Sequence, residues 1–529
     1  MGLFQRSLYP IYVLGYTKKH ISLYFFEKTL NTWESVMPEK IRVRFAPSPT
    51  GSMHLGNIRT ALLNYLFAKQ RNGALILRIE DTDQARNVDL ADLKILKDLE
   101  WLGIACDEGP FLQSERTHLY QEHLDDLIAN GFVYRCFCTP EILKEKRKEQ
   151  IEKKKPPRYD RTCLHLSDDH IKQKLVAKKP FIWRFKVNSD QAFTIKSMAR
   201  KKLSFDMKNF SDFALTRSDG SFTFLFSNFV DDWLMEISHV IRGEDHLSNT
   251  AMQAALFDAL AVDTPTFWHL PMMINKEGKK LSKRDFGFAL DDLKSEGFLP
   301  QAICNYLAII GGSFKDEIQS LEELAHSFDF DNIHTTGAIR YDVEKLRWVN
   351  HKWIERLDAK EILPFIVPLS FDTFPCAKAT GNTPAVASLW PARQDERACI
   401  EGCCPVSEEK LLYLVSKVKN DCSVLKDFVD ALRFCFEDPE IDISVIDEKI
   451  GKDKTNSVAS LIDDVISYVP KSDLFIEHVK REGKEKGLKP KEFFGVIRYL
   501  LTGSFEGISV HDIIDMLSEE QAISRLKKL

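Results

Sequence analysis

The segment from Ile41 to Leu77 constrains this chain most. Ile41-Arg42-Val43-Arg44-Phe45 alternates apolar and polar residues, which predicts a strand. Ala46-Pro47-Ser48-Pro49-Thr50-Gly51 then breaks the pattern with two prolines and a glycine. From Ile58 onward Ala61, Leu62, Tyr65 and Leu66 recur at helical spacing. Ala74-Leu75-Ile76-Leu77 is a solid apolar run, as expected of a strand buried on both faces. Strand, helix and strand in this order predict the start of a parallel α/β sheet. Val240-Ile241-Arg242 reads as a further strand of it, followed by an acidic loop.

A long insertion, about 113–226, separates these halves. It carries a basic stretch from Lys144-Glu145-Lys146-Arg147-Lys148 to Lys153-Lys154-Lys155-Pro156-Pro157-Arg158. Such a run is usually a solvated helix face. Beyond about residue 325 the periodicity is helical. Val458, Leu461, Ile462 and Val465 share a face, as do Val510, Ile513, Ile514 and Leu517. Ser518 and Gln521 have capping-box spacing. The stretch 369–405, rich in Pro, Ala, Thr and Cys, reads as a loop-like insertion or linker.

The chain has 529 residues, enough for several domains. A net charge of −5 gives no global basic character, but a nucleic-acid partner needs only a local basic face. Eleven cysteines over this length make no dense disulfide framework, so a reducing cytosol is expected. No uninterrupted apolar run is long enough to span a bilayer. Residues 1–37 hold Arg6, Lys18, Lys19 and Lys28 among aromatics. An import presequence would be richer in Arg and Ser. The expectation is an extension that is disordered or follows from an upstream start codon, with the folded protein beginning near Met37.

Two motifs carry chemistry. Pro47-Ser48-Pro49-Thr50-Gly51-Ser52-Met53-His54-Leu55-Gly56-Asn57 joins the strand to the helix, whose N-terminus offers free N–H groups. His54 stands at the mouth and can donate to a phosphate oxygen. A lone loop histidine is more often structural. Gly278-Lys279-Lys280-Leu281-Ser282-Lys283-Arg284 is a basic loop that could close on a triphosphate. By itself it reads better as an exposed hairpin tip. No Gly-rich phosphate loop ending in Gly-Lys-Ser/Thr is present, which argues against the common ATPases.

Together the two motifs resemble the "HIGH" and "KMSKS" signatures of class I aminoacyl-tRNA synthetases. Arg42 to Gly51, Leu77-Arg78-Ile79-Glu80-Asp81-Thr82-Asp83 and Val240-Ile241-Arg242-Gly243-Glu244-Asp245-His246-Leu247-Ser248-Asn249 resemble, in order, the glutamyl-tRNA synthetase core. The resemblance extends through Tyr341 to Trp348 and returns near Leu501-Thr502-Gly503. It implies a Rossmann-like parallel-sheet catalytic domain (38–325), an inserted domain for the tRNA acceptor end, and a helical stem-contact and anticodon-binding region (326–529). It implies ATP with Mg²⁺, L-glutamate and tRNA(Glu) as partners, in a cytoplasmic monomer.

The resemblance carries roles onto matching positions. His54, Lys280 and Lys283 would be catalytic. His54, Gly56, Asn57, Lys283 and Arg284 would contact ATP. Arg44, Ala46, Ser48, Glu80, Asn228, Arg242 and Asp245 would line the glutamate site. Arg44 is the choice for the side-chain carboxylate, because a guanidinium binds both oxygens. Glu80 or Asp245 would take the ammonium. Any one of these alone would more often be a surface ion pair. Three positions depart from the pattern: Asn57 for His, Phe224 for Tyr and Trp233 for a frequent His.

Cys136-Phe137-Cys138 and Cys163-Leu164-His165 offer three thiolates and an imidazole, a set that suits structural zinc. Some bacterial members of the resembled family carry this spacing, beside Arg158-Tyr159-Asp160. Cys376, Cys399, Cys403 and Cys404 have no nearby His and read as ordinary thiols. A glutaminyl enzyme would have β-barrels where this chain is helical. A tRNA-base-modifying enzyme would be shorter. A catalytically dead tRNA-binding paralogue would not need His54, Lys280 and Lys283. Whether tRNA(Gln) is also charged is left open.

Overall fold

The structure, a computed structural model, describes residues 40–83, 87–198, 202–282, 284–333, 337–363, 365–366, 408–435 and 437–529. The expected N-terminal extension, the 369–405 stretch with its cysteines, and Lys283 lie outside the described residues.

Strands β1 (Arg42–Phe45), β2 (Ala74–Ile79) and β3 (Glu108–Leu112) pair in parallel in the order β1-β2-β3. The apolar run in β2 is buried, as its composition predicts. The Leu55–Gln70 helix crosses between β1 and β2 and buries Leu55, Ile58, Leu62, Leu66 and Phe67. After β3 the chain leaves the sheet. It builds β4 (Val133–Cys136), β5 (Ile182–Phe185) and β8 (Phe213–Ala214) into an antiparallel sheet of order β4-β5-β8. Between β5 and β8, β6 (Ala192–Ile195) and β7 (Leu203–Asp206) form a separate antiparallel pair. This part has its own aromatic core, including Tyr120, Phe185, Phe213, Phe226 and Phe229.

The Phe224–Leu234 helix returns the chain to β9 (His239–Gly243), which pairs in parallel with β10 (Thr266–Leu270). The sheet halves meet at β1 and β9. The Ser238 N–H donates to the Arg42 carbonyl at 3.0 Å, and the Arg42 N–H donates to Ser238 Oγ at 2.8 Å. The spatial order is therefore β3-β2-β1-β9-β10, with the winding reversing between β1 and β9. Ligands of open α/β sheets bind outside the carboxyl ends of the strands at such a reversal. Arg44 and Arg242 stand near those two ends. Two short strands follow, β11 (Met273–Ile274) and β12 (Ile339–Arg340), paired in parallel.

From Val343 to Leu526 the described elements are all helical. The predicted faces are buried, including Val458, Leu461, Ile462 and Val465, and Val510, Ile513, Ile514 and Leu517. Ser518 and Gln521 form the expected capping box. The helical part packs on the α/β part at Gly297. Its φ is +86°, and a Cβ there would lie 2.8 Å from Leu425 Cβ. Its carbonyl accepts the Leu425 N–H at 2.9 Å, so the close approach requires glycine. Among the described residues no helix is long and apolar enough to cross a membrane.

Candidate active site

His54 is the N-cap of the Leu55–Gln70 helix. Its Nδ1 accepts from the N–H groups of Gly56 (3.1 Å) and Asn57 (3.3 Å). Asn57 Oδ1 accepts the His54 N–H in return, closing a capping box. The departure from His to Asn at position 57 thus has a local use: a short amide closes this box. Because Nδ1 is an acceptor, the neutral ring carries its proton on Nε2. Burial, and then the nearby Lys280 charge, lower the His54 pKa and keep the ring neutral. The ring stacks on Phe288 with centroids 5.0 Å apart. The outcome is one oriented N–H donor beside a helix N-terminus, a geometry suited to an anion.

The basic loop leaves β11. Leu281 is its buried anchor, and Asp285 is its clasp: the Ser282 N–H and Asn275 Nδ2 donate to the Asp285 carboxylate at 2.8 and 2.9 Å. Lys279 is paired with Glu277 at 2.7 Å. Lys280 and Arg284 are exposed and face solvent. Burying the leucine while the cations stay hydrated explains the pattern that reads as a hairpin tip in isolation.

Below this mouth lies a buried polar network. Arg44 makes a two-pronged pair with Asp232 (3.1 and 3.4 Å) and its Nη1 donates to the Ile241 carbonyl at 3.4 Å. Arg78 donates to the same Asp232 at 2.8 Å and lies 3.5 Å from Glu80 and 3.8 Å from Asp231. Burial pushes the Asp232 pKa up, but Arg44 and Arg78 outweigh it and hold the carboxyl below its usual range. Glu80 accepts from Asn228 Nδ2 at 2.6 Å. Burial dominates there and pushes the Glu80 carboxyl up to about 6, against Arg78 and Asn228.

Arg242 differs from both other arginines. Its Nη2 donates to Thr250 Oγ1 (2.7 Å), Gln253 Oε1 (2.8 Å) and, weakly, the His246 carbonyl (3.5 Å). Its Nε and Nη1 are buried with no hydrogen-bond partner. It forms no ion pair with a carboxylate among the described residues, and burial, then Arg44, lower its pKa to about 9. A buried cation with two unmet N–H groups is a receptor for a ligand carboxylate.

Of the other expected site residues, Ala46 is half-buried and Ser48 exposed in the turn after β1. Asp245 is exposed; its charge is felt by His54 and Arg242, but it does not join the buried network. Phe224 packs its ring 5.2 Å from His246. Trp233 packs on His123 (4.5 Å), facing the insertion rather than the pocket. Sequence reasoning assigned no role to Arg78, Asp231, Thr250 or Gln253. One signal was available: two aspartates inside the otherwise apolar helix FLFSNFVDDWL, where a carboxylate needs a buried partner.

In the insertion, the sulfurs of Cys136, Cys138 and Cys163 lie within 4.8 Å of one another. The Cys138 and Cys163 sulfurs are 3.6 Å apart. That is close to the edge of about 3.8 Å expected for a tetrahedron with Zn–S bonds of about 2.3 Å. Tyr159 Oη lies 3.2 Å from Cys136 Sγ and 3.7 Å from Cys138 Sγ, and accepts the Cys163 N–H at 3.1 Å. His165 is exposed and stands outside this cluster. The hydroxyl of Tyr159, not the expected imidazole, stands at the thiols.

Residues 40–348 match the class I tRNA synthetase (E and Q) catalytic domain family, and residues 392–529 an anticodon binding domain. A glutamate–tRNA ligase of Finegoldia magna is 33% identical over 511 residues, covering 92% of this chain and 99% of that protein. One from Bacillus subtilis (strain 168) is 32% identical, covering 93% and 100%. A crystal structure of a glutamate tRNA ligase from Elizabethkingia meningosepticum in complex with its amino acid superposes with a TM-score of 0.76 at 31% identity, covering 93% of this chain and 99% of that one.

Proposed function

The chain belongs to the glutamate–tRNA ligase family of class I aminoacyl-tRNA synthetases, and from that premise we propose how its own residues divide the work. The enzyme joins glutamate to tRNA at the expense of ATP. Glutamate sits at the strand reversal between β1 and β9. Its side-chain carboxylate meets Arg242 Nε and Nη1, with Arg44 beside it. The initial preference for Arg44 alone gives way here, because Asp232 already fills the Arg44 fork while Arg242 has open donors. Glu80, held by Asn228, takes the ammonium. Ala46, Ser48 and Asp245 line the rim. The observation that carries this reading is the buried, unpaired half of the Arg242 guanidinium.

The ATP phosphates lie over Gly56 and Asn57, with His54 Nε2–H on a phosphate oxygen. Lys280, Lys283 and Arg284 close over them. Magnesium arrives with ATP as part of the substrate. The α-carboxylate of glutamate attacks the α-phosphorus and pyrophosphate leaves. A terminal ribose hydroxyl of tRNA then displaces AMP from the glutamyl-adenylate. The carboxylate is already a nucleophile, so the protein contributes alignment and charge stabilisation. The basic face of the Pro140–Glu152 helix, with Lys153 to Arg158, meets phosphates of the acceptor end. We place the insertion at about 113–226 and the enzyme in the cytoplasm as a monomer.

Charging purified tRNA(Glu) and tRNA(Gln) with labelled glutamate, and each with labelled glutamine, tests this reading and settles the range of tRNAs. Glutamyl-tRNA(Glu) is the expected product; a glutaminyl product would overturn it. The same assay reports Glu80. An ammonium ion pairs with its ionised form, which is lost as pH falls through about 6. KM for glutamate is expected to be about tenfold higher near pH 5 than near pH 7. A flat profile removes Glu80 from the ammonium role.

The three thiols fit a structural zinc ion. Cys136, Cys138 and Cys163 would hold it, with the Tyr159 hydroxyl as fourth donor in place of His165; the ion would tie the start of the knuckle to its end. Purified protein is then expected to contain about one zinc per chain. Cys163→Ser should lose it, Tyr159→Phe should weaken its retention against a chelator, and His165→Ala should not. Loss of zinc on His165→Ala alone would restore the imidazole as ligand.

A further inference from the structure

Arg242 is held by neutral groups. Gln253 and Thr250 are fully buried on the Leu247–Ala259 helix and give it two acceptors, Oε1 at 2.8 Å and Oγ1 at 2.7 Å. The surrounding carboxylates are committed elsewhere: Asp232 to Arg44 and Arg78, and Glu80 to Arg78 and Asn228. Gln253 also reaches the other pole of the pocket. Its Nε2 donates to Asn228 Oδ1 at 2.8 Å, and Asn228 Nδ2 donates to Glu80 at 2.6 Å. The orientation of the Gln253 amide is forced. Turned over, its NH₂ would face the Arg242 N–H, and its oxygen would face the Asn228 oxygen.

A glutamate at this position would satisfy Arg242 just as well geometrically. It would also cancel the charge that a substrate carboxylate needs. A neutral acceptor anchors the guanidinium and leaves its charge for the ligand. We infer that Gln253, with Thr250 beside it, is a specificity-determining positioning residue: it fixes Arg242 without neutralising it, so the pocket prefers a side-chain carboxylate to the corresponding amide. This rests on the reading that Arg242 takes the substrate's carboxylate.

The test uses the full chain, tRNA(Glu) transcript and ATP, with glutamate and glutamine as competing amino acids. Gln253→Glu is expected to lower kcat/KM for glutamate on the order of 100-fold, mostly through KM, and to reduce the glutamate-to-glutamine ratio at least as steeply. Gln253→Met, of similar size and uncharged, should raise KM several-fold and keep most of the ratio. The difference between the two variants is the signature of charge, which a purely structural role would not produce. Thr250→Asp places a carboxylate at the same nitrogen from another position and should reproduce the change; it decides the matter should Gln253→Glu not fold. A ratio within about threefold of the parent in the folded acidic variant overturns the inference. Arg242→Met separates the two levels: if it retains glutamate activity, the pocket reading itself fails; if it abolishes activity while Gln253→Glu leaves the ratio intact, only the role of Gln253 fails.

Discussion

Arg242→Met is expected to reduce kcat/KM for glutamate on the order of 10³- to 10⁴-fold while leaving the KM for ATP near the parent value. The glutamate side chain would lose the one pocket arginine that, among the described residues, has unmet donors and no carboxylate paired with it, and its own carboxylate would be desolvated without a partner. Lysine at this position should rescue little, because a point ammonium cannot reproduce the planar fork. The same substitution has a second expected outcome. Arg242 is a buried cation with no carboxylate paired with it among the described residues, and burial pulls its pKa down to about 9. A cation whose folded pKa is depressed costs stability wherever it is charged. Removing it should therefore leave the melting temperature unchanged or raise it. Loss of activity together with clear loss of stability would mean that Arg242 is mainly a structural residue.

That contrast also shows what the sequence could reveal. The β1 alternation, the apolar run of β2 and the helical faces after residue 325 are read from periodicity, because a sheet or helix buries residues at fixed intervals. Ser518 and Gln521 announce a cap because capping is local, spanning four residues. His54 is legible as a mouth residue for the same reason. The charge pairs are not local. Arg44 and Asp232 are separated by 188 positions and Arg42 and Glu108 by 66, and nothing in either segment names the other. The three arginines look alike in sequence, yet one holds a structural pair, one shares three carboxylates and one is open. Only placement in three dimensions distinguishes them. At the thiols, spacing pointed to His165, while the chain's turn brings Tyr159, four positions before Cys163, to the sulfurs; a tyrosine hydroxyl carries no ligand signal of its own in sequence.

Asp232→Ala should have the opposite stability effect to Arg242→Met. Asp232 is buried and accepts from two arginines, Arg44 at 3.1 Å and Arg78 at 2.8 Å. Removing it takes away the carboxylate paired with Arg44 and leaves Arg78 with only the longer ion-pair contacts to Glu80 and Asp231. Breaking one side of a buried pair costs about 3–5 kcal/mol, so the melting temperature should fall on the order of 10 °C. Asp232→Asn, which keeps an acceptor but not the charge, should fall between alanine and the parent. The pH dependence has a definite sign. The Asp232 carboxyl is held below its usual range in the fold, so its stabilisation is present above the unfolded value of about 4 and is lost as pH falls through the lower folded value. The parent should lose stability in that acid range more steeply than the alanine variant. The neighbouring Asp231 gives the pair its wider reach. It binds Gln113 (2.8 Å), Arg116 (2.7 Å) and Tyr120 (2.8 Å), which begin the insertion, while Asp232 binds the pocket arginines. Two consecutive residues of one helix thus join the start of the insertion to the buried arginine network. An Asp232→Ala protein with an unchanged melting temperature would show that Arg44 and Arg78 find other partners, and that this joint carries no load.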